Sequence, residues 1–171
     1  MRTLVTGGVR SGKSAYAESL LADATAVSYI APGPRYDDVD WAERIAAHAA
    51  RRPAHWTTLE DTDLPRAVSA ASGALLVDCL GTWLTAQLDQ LNAWEAADWR
   101  TLLEPRVDAA AAAVESYPDD VVLVTNEVGL GVVSEHRSGR IFSDGLGGVN
   151  QRFASICDDV VVVIAGRVLR L

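Results

Sequence analysis

The sequence predicts a three-layer α/β fold on a mainly parallel central sheet, as one domain spanning residues 1–171. Three observations carry this. Short apolar runs at 2–6, 26–31, 74–78, 121–125 and 160–165 lack the alternation of a half-exposed sheet, as suits strands covered on both faces. Alanine- and leucine-rich stretches of helical character separate them. The first run leads through a glycine-rich loop straight into a helix, so the chain opens as strand, loop, helix.

Arg2-Thr3-Leu4-Val5-Thr6 is the first strand, followed by Gly7-Gly8-Val9-Arg10-Ser11-Gly12-Lys13-Ser14. This is G-x-x-x-x-G-K-S, the P-loop, in the strand-to-helix setting the motif needs. Its glycines let successive backbone N–H groups turn inward on phosphate oxygens. The helix starting near Lys13 adds its positive end. Lys13 is expected to reach the β- and γ-phosphates, and the Ser14 hydroxyl to ligate Mg²⁺. The expected fold is therefore P-loop nucleotide hydrolase-like.

Ala26–Ala31 reads as the second strand, closed by Pro32-Gly33-Pro34. A helix is expected over 39–51, capped by Asp38 and stopped before Pro53. Val39, Ala42, Ala46 and Ala49 give it a face for the sheet, while Trp41, Arg44, His48 and Arg51 or Arg52 project together. Residues 55–60 form either a short strand or an extended loop. Asp63-Leu64-Pro65 opens a short helix ending near Ser72-Gly73. Ala74-Leu75-Leu76-Val77-Asp78 is an apolar strand finishing in a carboxylate, with Cys79–Thr82 expected as the loop beyond it.

The stretch from Trp83 to Tyr117 is expected as helix, in two pieces or broken near Asn92 or Pro105. Gln87–Arg100 is the best candidate for an excursion from the core. Val121–Thr125 is a buried strand running into Asn126-Glu127-Val128-Gly129, and a long helix is expected from about Arg140 to Cys157. Val160–Ala165 is a strand, Gly166-Arg167 a turn, and 168–171 a closing edge strand.

Apolar residues make up 49% and charged residues 22%, the balance of a soluble globular protein, and 171 residues suffice for one sizeable core. A net charge of -8 argues against a general nucleic-acid binder, which needs a basic field. Cys79 and Cys157 fit neither a disulfide scaffold nor a metal cluster. The opening apolar run is too short for a signal peptide, and nothing approaches a membrane span, so the expected location is cytoplasmic.

Four residues or groups could carry chemistry beside the loop. Asp78, ending an apolar strand, is built like the second carboxylate of a P-loop site and could hold Mg²⁺ opposite Ser14. Glu127, ending the next strand, could assist the metal or orient an acceptor hydroxyl. A lone helical histidine is more often structural than catalytic, but His48 shares its face with arginines that would lower its pKa and bind phosphate oxygens. A neutral imidazole beside an α-phosphate is a competent nucleophile. Trp56 and Trp83 lie near candidate ligand loops in sequence, and either packing or base stacking would suit them.

Taken together, these pieces resemble the bifunctional adenosylcobinamide kinase/adenosylcobinamide-phosphate guanylyltransferases of cobalamin biosynthesis. The likeness rests on Thr6–Ser14, Tyr29-Ile30-Ala31, Arg44-Ile45 with His48, and Arg52-Pro53-Ala54-His55-Trp56. It continues through Val124–Gly131 and Gly147 with Val149-Asn150-Gln151-Arg152, in order along nearly the whole chain. The resemblance implies phosphorylation of adenosylcobinamide by ATP or GTP. It then implies guanylylation of a histidine by GTP and transfer of GMP to adenosylcobinamide phosphate, giving adenosylcobinamide-GDP. The family histidine falls on His48. The nucleotide contacts fall on Gly7, Gly8, Val9, Arg10, Ser11, Gly12, Lys13 and Ser14, on Ala31, Pro32 and Gly33, on Ala49, Ala50, Arg51 and Arg52, and on Glu60. The resemblance also implies a homotrimer with active sites near subunit boundaries.

Departures are local. Asp78 stands where glutamate is common in the family, Ala47 where some members carry a second histidine, and Gly148 where arginine is frequent. Pro32-Gly33 replaces a more polar loop. Two other activities fit the same motif: a kinase of another small alcohol, or a nucleotide-binding switch without an acceptor.

Overall fold

A computed structural model describes residues 1–34 and 52–171. The helix expected over 39–51, with His48, Ala49, Ala50 and Arg51, lies outside the described residues.

The elements are β1 (Arg2–Thr6), α1 (Lys13–Leu20), β2 (Val27–Ile30), β3 (Trp56–Leu59), α2 (Leu64–Ala70) and β4 (Ala74–Asp78). They continue with α3 (Leu80–Gln90), α4 (Trp99–Glu115), β5 (Val121–Val124), α5 (Arg137–Ala154), β6 (Asp159–Ile164) and β7 (Arg167–Arg170). Among the described residues the sheet runs β3-β2-β4-β5-β1-β6-β7. Every neighbouring pair is parallel except β6 with β7, the antiparallel edge that closes the sheet.

The strands are apolar on both sides because both sides are covered. Val5, Tyr29, Leu76, Val122, Val124, Val161 and Val163 face α1, which contributes Ala17, with Leu21 just beyond its end. Leu4, Ile30, Leu75, Val77, Val121 and Leu123 face the opposite layer of α2 to α5. Successive residues of one strand thus enter different cores, which removes the polar–apolar alternation. Trp83 meets Phe153 edge-on at 6.3 Å between ring centroids and ties α3 to α5.

Local chemistry sets the ends of these elements. Asp63 caps α2 by accepting the Arg66 N–H at 3.1 Å, with Pro65 in the first turn. The expected loop at 79–82 is instead the start of α3. Cys79 occupies its N-cap, where Sγ accepts the Thr82 N–H at 3.4 Å and Thr82 Oγ1 donates to the Cys79 carbonyl at 2.9 Å. Cysteine is outside the usual capping set, so no sequence signal marks this start.

The break in the long helical stretch falls at Asn92, not at Pro105. Asn92 adopts φ 49°, its N–H donates to Asp89 O at 3.1 Å, and the Ala93 N–H donates to Leu88 O at 2.9 Å. This pair of bonds closes a helix end on a left-handed residue. Pro105 sits inside α4 on its exposed side, where the carbonyl it leaves unpaired can meet water. Residues 87–100 are no excursion: Leu88, Ala93 and Trp99 belong to the core. Buried Gln87 donates to the Thr62 carbonyl at 2.9 Å. The last long helix begins at Arg137, earlier than expected, and ends at Ala154.

Candidate functional site

The carboxyl ends of β1, β2, β4 and β5 carry Gly7, Ala31, Asp78 and Thr125–Glu127 along one edge of the sheet. This is where ligands gather in parallel α/β folds.

Gly7–Ser14 turns tightly between β1 and α1. Gly12 adopts φ 97°, a left-handed conformation that a side chain would strain. Arg10 also has positive φ, at 57°. The Ser11 N–H donates to Gly8 O at 3.3 Å, and the buried Lys13 ammonium donates to the same carbonyl at 3.2 Å. Lys13 therefore folds over its own loop. With glycine at its N-cap and no side-chain cap, α1 leaves first-turn N–H groups facing the loop.

Two neighbours hold the loop from outside. The Gly166 N–H donates to Ser11 O at 2.8 Å from the β6–β7 turn, and the Glu127 N–H donates to Gly7 O at 3.2 Å. A Cβ on Gly7 would meet the Val163 carbonyl oxygen at 2.5 Å. The loop is thus seated against β6 with no room for a side chain at its first residue.

Asp78 ends β4. One strand, β5, separates it from β1, so the two strand axes are roughly 10 Å apart. The helix α1 packs on β1, β5 and β4, the strands whose ends carry the loop, Glu127 and Asp78. The Tyr29 hydroxyl donates to Asp78 Oδ2 at 3.0 Å. Burial, then the charge of Asp78, push the Tyr29 pKa far up, so it stays a phenol and a donor. The Arg52 guanidinium carbon lies 3.3 Å above the Tyr29 ring centroid, and Arg52 Nη1 donates to Thr58 Oγ1 at 3.0 Å. Next to Asp78, burial foremost and then that charge raise the Cys79 thiol, which leaves it protonated and inert.

Glu127 lies between the P-loop strand and Asp78, as the position of β5 requires. Its Oε1 accepts the Gly129 N–H at 2.6 Å, fixing a tight turn. Behind it, Thr125 Oγ1 donates to Asn150 Oδ1 at 2.6 Å and Asn150 Nδ2 donates to the Asn126 carbonyl at 3.1 Å. Helix α5 therefore holds the end of β5.

The Ala31–Gly33 loop begins with the Ala31 N–H donating to Leu59 O at 2.8 Å, and a Cβ on Gly33 would touch Thr82 at 3.0 Å. It is wedged between β3 and α3. Glu60 is exposed beyond β3, four strand spacings or roughly 19 Å from β1. It stands at the far end of the same sheet edge. Neither candidate tryptophan reaches the cleft: Trp56 starts β3 at the opposite end of the sheet, and Trp83 is buried between α3 and α5.

The protein-family model for cobinamide kinase/cobinamide phosphate guanyltransferase matches residues 3–171. The chain belongs to this family. It is 43% identical to the bifunctional adenosylcobalamin biosynthesis protein CobU of Salmonella typhimurium over 177 aligned residues, covering 97% of each chain. It is 41% identical to the corresponding protein CobP of Pseudomonas aeruginosa, covering 97% of this chain and 94% of that one.

Solved structures give the fold alone. An ATPase from the type III secretion system of pathogenic bacteria superposes with TM-score 0.61 at 14% identity, over 94% of this chain and 50% of that one. The assembled ATPase EscN of enteropathogenic E. coli gives TM-score 0.59 at 13% identity, over 96% of this chain and 43% of that one. The chain spans about half the length of these ATPases, and they support a mixed α/β fold resembling theirs.

In this cobinamide kinase/guanyltransferase, the described candidates fall in two groups on one sheet edge. Gly7–Ser14 and Glu127 sit at β1 and β5, Ala31–Gly33 and Glu60 at β2 and β3, with Asp78 between, while Arg52 lies over Tyr29 and Thr58 on the face of β2 and β3. Sequence reasoning missed the parts of Tyr29 and Asn150. The available signal was a polar tip in each case: a tyrosine inside an otherwise buried strand, and an asparagine on a helix covering the sheet.

Proposed function

We propose that this chain, as one domain, phosphorylates adenosylcobinamide and then attaches GMP to the product, the second step passing through His48. Family membership makes it a bifunctional enzyme, a kinase and a guanylyltransferase acting on adenosylcobinamide and its phosphate with ATP and GTP as substrates. The observation that carries the residue assignment is the P-loop at the end of β1 with the Lys13 ammonium already turned onto the Gly8 carbonyl.

In the first reaction the acceptor hydroxyl oxygen attacks the γ-phosphorus and the bond to the β-phosphate oxygen breaks, releasing the nucleoside diphosphate and a proton. Lys13 and the loop N–H groups of Gly7, Gly8, Val9, Arg10, Ser11, Gly12 and Ser14 hold the triphosphate and neutralise its charge. Glu127 orients the acceptor hydroxyl. In the second reaction an imidazole nitrogen of His48 attacks the α-phosphorus of GTP and pyrophosphate leaves. A phosphate oxygen of adenosylcobinamide phosphate then displaces the imidazole, giving adenosylcobinamide-GDP. Ala31, Pro32, Gly33, Ala49, Ala50, Arg51, Arg52 and Glu60 complete the nucleotide site by resemblance.

The Ser14 hydroxyl and the Asp78 carboxylate, oriented by Tyr29, are hard oxygen donors of the kind Mg²⁺ takes alongside substrate phosphates. Bound there, Mg²⁺ would supply charge neutralisation at the phosphates. The homotrimer and the cytoplasmic location stay part of the proposal. Support for the location is that no helix among the described residues is long and apolar enough to cross a membrane.

Incubation with GTP labelled at the α-phosphate tests the histidine step. The expected outcome is an acid-labile, base-stable label that disappears in His48→Ala while cobinamide phosphorylation persists. A folded wild-type protein that takes up no label would instead leave a kinase without guanylyl transfer.

A further inference from the structure

With Asp78 taken as the metal carboxylate, as proposed above, we infer that Tyr29 is a positioning residue for the metal site, aiming that carboxylate through its buried phenol. The pairing of β2 with β4 sets Tyr29 opposite Leu76, and both side chains enter the core beneath α1. Asp78 is two residues beyond Leu76 and so lies on the same face, roughly 6.6 Å further along the strand. Strand side chains lean along the strand direction, and Tyr29 covers this span to reach Asp78 Oδ2 at 3.0 Å.

Packing alone does not call for tyrosine here. The ring is 2% exposed, in a cluster otherwise made mainly of Val, Leu and Ala, where phenylalanine would fill the same space without desolvating a hydroxyl. The hydroxyl instead donates a hydrogen bond to a charged acceptor, the stronger class of hydrogen bond. Fixing Oδ2 restricts rotation of the carboxylate, so the group meets a cation already oriented.

The ring has a second contact. Arg52 stacks on it at 3.3 Å and is itself held by Thr58. Arg52 is the first described residue after the segment carrying His48. One side chain therefore touches both the carboxylate assigned to the metal and the arginine next to the proposed nucleophile's segment.

Tyr29→Phe tests this, with the full chain titrated by Mn²⁺ in the presence of ADP and free Mn²⁺ read by electron paramagnetic resonance. The measurement needs no acceptor, so it stands even if cobinamide proves not to be the substrate. The expected result is Mn²⁺ affinity lowered on the order of tenfold, with metal-free ADP affinity and melting temperature close to wild type. The Mg²⁺ concentration for half-maximal kinase rate should rise in parallel. Unchanged Mn²⁺ affinity would overturn the inference, as would an equal loss of metal-free ADP binding, which marks a general structural role. Asp78→Asn keeps an acceptor for the phenol but removes the charge. In that background Tyr29→Phe should cost no further metal affinity, and additive losses would also overturn the assignment.

Discussion

Replacing Gly7 by alanine asks whether the P-loop is held in place by its seat on β6. A Cβ at Gly7 would lie 2.5 Å from the Val163 carbonyl oxygen and 2.7 Å from Ser11 Oγ. Reaching an ordinary contact of 3.4 Å from that carbonyl requires the two to separate by roughly 0.9 Å. Val163 is inside β6, paired with β7 on one side while β1 holds the other edge of the strand, so the loop must give way and not the strand. That movement pulls Ser11 O from the Gly166 N–H and Gly7 O from the Glu127 N–H. Overpacking of this kind costs about 1–3 kcal/mol. A misplacement near 1 Å at a reacting group costs on the order of 100-fold in rate. The assay is cobinamide phosphorylation kinetics beside thermal unfolding. Gly8→Ala is the control for stability, since a Cβ at Gly8 meets nothing within 4 Å. Gly7→Ala is expected to lower both melting temperature and kcat/KM, and Gly8→Ala to leave melting unchanged. A Gly7→Ala protein with wild-type stability and rate would refute the seating of the loop on β6.

Two further perturbations test the surroundings. Asn150→Ala removes the acceptor of the fully buried Thr125 hydroxyl and the donor to the Asn126 carbonyl, for an expected loss of about 1–3 kcal/mol in denaturant unfolding. Because Glu127 follows directly, the kinase kcat should fall more than nucleotide affinity. Asp61 receives Arg66 Nε at 2.7 Å and Nη2 at 2.6 Å, and these bonds hold its carboxyl below the usual range. A depressed native pKa stabilises the fold above the unfolded value of about 3.9 and loses that contribution as pH falls through the native value. Titration of the carboxyl carbon by NMR should show Asp61 moving up in Arg66→Ala; an unmoved titration would assign its depression elsewhere.

Most of the sheet was legible because its signal is local. A run such as Val121-Val122-Leu123-Val124 has few alternatives to a buried strand, and the P-loop announces itself by glycine spacing. The opening of α3 was illegible because its cap is Cys79, and cysteine carries no capping signal. Residues 87–100, with Trp94 and Trp99, looked like an excursion, yet the break at Asn92 is a left-handed helix end that turns Ala93 into the core. Trp56 looked close to ligand loops because sequence distance does not tell which end of a strand a residue occupies. Asp78 was legible as a strand-end carboxylate, but its partner Tyr29 was not. That contact depends on β2 lying beside β4, and nothing in either segment states this order.

Strand order also bears on how one cleft could serve two chemistries. Sequence order alone would set the strand of the P-loop beside the next strand, yet β2 is three positions from β1, with β4 and β5 between them. The loop therefore faces Glu127 at its side and Asp78 one strand further. Arg52 and Ala31–Gly33 stand on the far side of Asp78. Under the proposed function, groups for attack at γ and groups for attack at α need not compete for one position. Among the described residues, Lys13 and Glu127 stand on one side of Asp78 and Ala31–Gly33 on the other. Changing the step then requires a different phosphate register along the sheet edge, not a different site. The two reactions should accordingly share Lys13 and Asp78 and differ in their dependence on Glu127 and Arg52.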